Sequence, residues 1–212
     1  LFTSSDDLCS DVQEVFRHLT GLGTAGKLRC LLQAPFTLHA YVLGAIRREA
    51  EAARACRKGY IAAKINALLE ESVIAALYEA SQAGVRIELV VRGVCALRPG
   101  IPGLSEHIRV VSVIGRFLEH SRVCYFWADG AEDVWLGSAD WMDRNFFRRV
   151  EVAFPVRDRK LKQRVIEEGL KVHLDPAASV WELDSEGSYA PTGPVMSPER
   201  DPQLQLLAKL AE

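Results

Sequence analysis

The segment Tyr60-Ile61-Ala62-Ala63-Lys64-Ile65-Asn66 and, after one intervening stretch, Arg86-Ile87-Glu88-Leu89-Val90-Val91-Arg92 decide the fold class. Both are apolar runs of strand length. Between them, residues 70–83 set Val73, Leu77 and Ala80 on one helical face before Gly84 stops the turn. Strand, helix and strand in that order imply a parallel pair joined by a right-handed crossover, the unit of an α/β sheet.

Working outward, Leu8, Val12, Phe16 and Leu19 form one stripe of a leading helix that ends at Gly21. Residues 27–33 read as a short strand closed by Pro35, and Thr37 opens a long helix through Leu38, Val42, Ala45, Ile46 and Ala53. Downstream, residues 93–103 hold three glycines and two prolines and read as a loop at a strand's carboxyl end, where open α/β sheets bind ligands. Strands are expected at 121–127 and 134–138 around an Asp129-Gly130 turn, and at 150–156. Asp158 then caps a helix through Leu161, Val165 and Leu170. Residues 187–202 read as a loose Pro-, Gly- and Ser-rich tail, and 203–212 as a terminal helix. The expected division is a leading helix and link at 1–27, the α/β domain at 28–189 and the tail at 190–212.

The 212 residues carry 26 Lys and Arg against 28 Asp and Glu, a net charge of −2, with 49% hydrophobic residues. That composition builds a core and excludes a polybasic nucleic-acid arm, an acidic tail or a disordered chain. No apolar run approaches the ~20 residues of a membrane span. The five cysteines include no Cys-x-x-Cys pair, so reduced, mostly buried thiols of a cytoplasmic protein are expected. The chain starts without Met or a secretory leader, which suggests an excised fragment.

Candidate chemistry centres on His120 and Arg122, two apart on a strand entry and therefore on one sheet face. Together they can grip a phosphate, the guanidinium supplying a planar fork of donors. Alternatively, His120 pairs with Glu119 or Glu151 to satisfy a strand end. Arg92 ends a strand beside Gly93, which lets a ligand approach the backbone; its plain alternative is a solvated strand end. Arg144, Arg148 and Arg149 form either a second cationic cluster or an exposed face. Lys64 and Asn66 share a face of an apolar strand and need partners, carboxylates or phosphate. His18, His39 and His173 read as surface or boundary residues, and His107 as solvated. The sequence contains no Walker loop, metal-type His/Cys cluster or Gly-x-Ser-x-Gly elbow, so a metal is expected to arrive with substrate phosphates.

Residues 91–100 and Gly115-Arg116-Phe117-Leu118-Glu119-His120-Ser121-Arg122 resemble the C-terminal part of bacterial polyphosphate kinase. So do Ala63-Lys64-Ile65-Asn66-Ala67-Leu68, Ala80-Ser81-Gln82-Ala83-Gly84-Val85, Gly137-Ser138-Ala139-Asp140-Trp141-Met142 and Arg148-Arg149-Val150-Glu151. The likeness is expected over residues 1–189, with the tail outside it. It implies a phospholipase D-like mixed β-sheet flanked by helices, the second of two such domains. It further implies reversible phosphoryl transfer between ATP and long-chain polyphosphate, with Mg²⁺ accompanying the nucleotide. A phosphohistidine in the preceding domain would carry the group, in a cytoplasmic homo-oligomer free in solution or peripheral to the membrane, with no nucleic-acid partner.

By the same resemblance, Arg92, His120 and Arg149 contact phosphates. His120 matches the second-domain histidine of the phospholipase D pattern, and Arg122 stands where those enzymes have lysine. Gly137-Ser138-Ala139-Asp140 and Glu151 resemble that superfamily's trailing Gly-Ser-x-Asn and acidic positions. Cys95-Ala96, His107, Asp143 and Phe146-Phe147 depart from the usual residues. Two further readings are a phosphodiesterase or nuclease half-site and a polyphosphate-binding module without turnover.

Overall fold

The computed structural model describes residues 2–21, 27–193 and 199–211. Its frame is a nine-stranded mixed sheet. In chain order the elements are α1 (Asp6–Leu19), β1 (Leu32–Ala34), α2 (Leu38–Arg54), β2 (Tyr60–Ile65), α3 (Glu71–Gln82) and β3 (Arg86–Val91). Next come β4 (Ile108–Ser112), β5 (Arg122–Phe126), β6 (Asp133–Gly137) and β7 (Glu151–Pro155). The remainder is α4 (Arg159–Ile166), continued by a π-type turn into α5 (Val172–Leu174), then β8 (Trp181–Leu183), β9 (Tyr189–Pro191) and α6 (Pro202–Leu210).

The sheet runs β1-β7-β6-β5-β2-β3-β4-β8-β9, with β2, β3 and β4 parallel and every other pairing antiparallel. Strand alternation splits the core. Ile61, Ala63, Ile65, Ile87, Leu89 and Val91 pack under α2 and α3, while Ala62, Val90, Val111, Val123 and Tyr125 pack under Ile166, Leu170 and Leu174. Both faces of the central strands are covered, which is why β2 and β3 read as apolar runs rather than alternating ones. Among the described residues no helix is long and apolar enough to cross a membrane.

Four expectations change. The stripe of α1 is rotated: Leu8, Asp11 and Val15 are buried, whereas Val12, Phe16 and Leu19 are exposed. The cause is Asp11, whose carboxylate accepts the backbone N–H groups of Arg29, Cys30 and Leu31 at 2.6–3.0 Å and turns that face inward. Second, residues 108–112 form β4, a strand absent from the sequence reading although β-branched Ile108, Val110 and Val111 carry its signal. The glycine-rich segment 93–103 therefore leads back across the molecule to start β4. Third, the supposed tail contributes β9, paired with β8, before α6. Residues 194–198 of that tail lie outside the described ones. Fourth, the thiols are free but not mostly buried, since Cys9 and Cys56 are exposed.

Burial works against the Asp11 charge, but the three amides hold its carboxyl below the usual range. Asp11→Ala strands those donors and is expected to cost about 2–3 kcal/mol, read by urea denaturation. A change under ~0.5 kcal/mol would remove Asp11 as the anchor of α1.

Candidate functional site

Strand direction gathers polar residues at one sheet edge. β2 and β3 end there, β6 runs parallel to them and also ends there, and β5 and β7 run opposite and begin there. Asn66, Arg92, His120, Arg122, Ser138, Asp140, Arg144, Asn145, Arg149 and Glu151 consequently line one cleft of about 410 Å³.

Asp140 organises its floor. One carboxylate oxygen accepts the Asn66 backbone N–H at 2.7 Å and lies 3.3 Å from its side-chain amide. The Arg122 guanidinium clasps both oxygens, Nε to Oδ1 at 3.1 Å and Nη2 to Oδ2 at 3.0 Å. Burial alone raises the Asp140 pKa, but Arg122 and Asn66 bring it below the ordinary carboxylate value. Asn66 Oδ1 in turn accepts from Arg92 Nε at 2.8 Å, orienting that guanidinium. Gly93 is needed because a Cβ there would stand 2.9 Å from the Asn66 carbonyl oxygen. The glycine thus serves a close backbone contact, a need that the sequence reading did not include.

Arg122 reaches His120 as well, its Nη1 lying 3.0 Å from Nδ1, 3.3 Å from Nε2 and 2.9 Å from the carbonyl oxygen. His120 itself is exposed at the cleft lip. Its anticipated pairing with Glu119 or Glu151 does not form, because Glu119 faces Lys64 and Glu151 accepts from Ser138 Oγ and from Asn145 Nδ2 at 2.6 Å.

Arg144 and Arg149 bracket a π-type turn, Arg144–Arg148, fixed by fully buried Phe146. The His39 ring packs edge-on against Phe146 and Phe147 at 5.0 and 4.6 Å between centroids, so this histidine is structural. Arg148 turns away to Asp143 at 3.0 Å. Among the described residues, the exposed side chains of Arg144 and Arg149 have no hydrogen-bond or ion-pair partner. Spacing did not single out Arg144 from its neighbours, and Asn145 carried no signal of its own, whereas Ser138 was marked by the Gly137-Ser138-Ala139-Asp140 likeness.

Lys64 does not line this cleft. Its ammonium pairs with Glu119 and lies 3.0 Å from His173 Nε2. His173 is fully buried rather than at a boundary. Burial first, and then the Lys64 charge, push its pKa down to about 4, so the ring is neutral and accepts from Lys64. Glu119, which burial would raise, is held below its ordinary value by Lys64 and Gln203.

The family model for polyphosphate kinase C-terminal domain 2 matches residues 31–203. The chain belongs to this family. Polyphosphate kinases from Burkholderia lata and Paraburkholderia phytofirmans are 59% identical over 211 residues and 57% over 209, each alignment covering 99% of this chain. The chain spans about 30% of the length of these curated relatives. The crystal structure of polyphosphate kinase from Porphyromonas gingivalis superposes with a TM-score of 0.91 at 35% identity, covering 99% of this chain and 32% of that one. The likeness runs through the C-terminal residues and does not stop near residue 189.

Two outcomes test this electrostatic arrangement. Asp140→Ala leaves the half-buried Arg122 without its counter-ion and is expected to cost about 2–4 kcal/mol in denaturant titrations. His173 takes up a proton near 6.5 when unfolded but only near 4 when folded. Stability is therefore lost as pH falls from 6.5 toward 4, and His173→Gln should flatten that slope. Parallel slopes for parent and variant would show His173 is not the titrating group.

Proposed function

We propose that this chain is the phosphate-binding half of a polyphosphate kinase active site, serving reversible transfer of a terminal phosphoryl group between ATP and long-chain polyphosphate. The observation that carries the reading is the convergence of Arg92, Arg144, Arg149 and His120 on one cleft, with Arg144 and Arg149 free of carboxylates. A transferring phosphoryl group bears charge on its equatorial oxygens, and catalysis is largely positioning and charge stabilisation. The guanidinium groups meet that charge, and the His120 ring offers a hydrogen bond to a phosphate oxygen. Arg122 stays with Asp140 and orients His120.

On this reading the nucleophilic histidine is supplied by a preceding domain of the same polypeptide, and its phosphoryl group passes to ADP or to polyphosphate. Mg²⁺ fits as part of the nucleotide substrate. The cleft's Asp140 and Glu151 already accept from Arg122, Asn66, Ser138 and Asn145, and no group of three or more metal-type side chains occurs among the described residues. A nucleotide substrate supports a cytoplasmic enzyme, free or peripheral to the membrane, and a homo-oligomer of the full-length protein accords with the family reading.

The test is ADP-to-ATP conversion driven by long-chain polyphosphate with Mg²⁺, for this chain alone and for it joined to the upstream segment. Only the extended form is expected to work, and Arg92→Ala or Arg149→Ala should lower its kcat/KM by about 100-fold or more. Near-parental rates in both variants would overturn the role of the cleft. Absence of ATP alongside hydrolysis of a phosphodiester would replace kinase by phosphodiesterase.

A further inference from the structure

Residues 113–121 connect β4 to β5 and carry His120 on an otherwise poorly anchored loop. Val113 at its start is buried in the core, but Ile114 and Leu118 are 71% and 70% exposed, so the apolar side chains nearer His120 do not hold it down. A side chain on α6 supplies one anchor. Gln203 is 4% exposed, and its Oε1 accepts the Phe117 N–H at 2.8 Å. Its Nε2 donates to the Phe117 carbonyl at 2.7 Å and to Glu119 Oε1 at 2.8 Å. One amide thereby satisfies both backbone groups of a loop residue, as a neighbouring strand would.

Gly115 makes room for that amide, since a Cβ there would stand 2.5 Å from Gln203 Oε1 and 3.0 Å from Cδ. The second anchor is Glu119, directly before His120, held from below by Lys64, which His173 backs at 3.0 Å. Gln203, Lys64, Glu119 and His173 all lie outside the lining of the phosphate cleft. Their bonds end on the loop, not on a ligand.

We infer that Gln203, together with the buried Lys64–Glu119–His173 cluster, is a latch that positions the His120 loop for phosphoryl transfer. The inference rests on the kinase reading above. Gln203 and its partners are positioning residues: they act through His120. Losing the latch lets the loop sample arrangements in which the imidazole misses the phosphate, which lowers turnover while the arginines still bind substrate.

The experiment uses the full-length enzyme with Gln203→Ala and, separately, Gly115→Ala, whose added methyl displaces the Gln203 amide while leaving every residue of α6 in place. Polyphosphate-driven ATP formation and backbone hydrogen exchange over residues 114–120 are measured together. Both variants are expected to lose about 10-fold or more in kcat, with KM for ADP within about twofold and faster exchange confined to the loop. A general structural defect would instead accelerate exchange across β2 and β3. Unchanged kcat with a loosened loop overturns the inference, as does lost kcat with the loop's exchange unaltered. An unsubstituted enzyme that makes no ATP overturns the kinase reading itself, and this inference with it.

Discussion

The Asp140 carboxylate is the charge around which the functional edge is assembled. It is 8% exposed and too deep for water to solvate fully, so its partners must come from the protein. They come from two different strands: the Asn66 amide groups just past the end of β2 and the Arg122 fork at the start of β5. Arg92 is oriented through Asn66, and His120 lies against Arg122. Remove that anion and the arginine, the amide and, through them, the imidazole and the second arginine lose their reference point.

Engaged and free charges have separate tasks. Arg122, Lys64 and Arg148 are matched by Asp140, Glu119 and Asp143. Arg144 and Arg149, on either side of the π-type turn, are unmatched among the described residues. A chain with a net charge of −2 therefore presents a locally cationic cleft. Overall charge is a sum over the surface, while a phosphate responds to the few donors within hydrogen-bond reach.

Lys64 and Asn66 illustrate how sharply position divides such roles. They share one face of β2 and sit two residues apart, about 7 Å along a strand. Asn66 stands at the strand end beside Asp140, whereas Lys64 lies beneath the loop between β4 and β5 and closes an ion pair there. The same apolar surroundings that make Lys64 need a counter-ion keep His173 neutral beside it.

Local chemistry determined the two-sided apolar runs of β2 and β3, the turn between β5 and β6, the Asp158 cap and the arginines at strand ends. Each depends on residues a few positions apart, and periodicity or side-chain type reports such neighbours directly. The rotated face of α1, the sheet order that buries β4, and the partners of Arg122, Lys64 and His173 were decided only by the tertiary structure. Asp140 lies 18 residues from Arg122, Glu119 lies 55 from Lys64, and His173 lies 109 from Lys64. No local pattern encodes which of 28 carboxylates a given cation will meet. That choice is made by strand direction and register, which bring distant ends to one edge and leave Arg144 and Arg149 in the cleft without a carboxylate partner among the described residues.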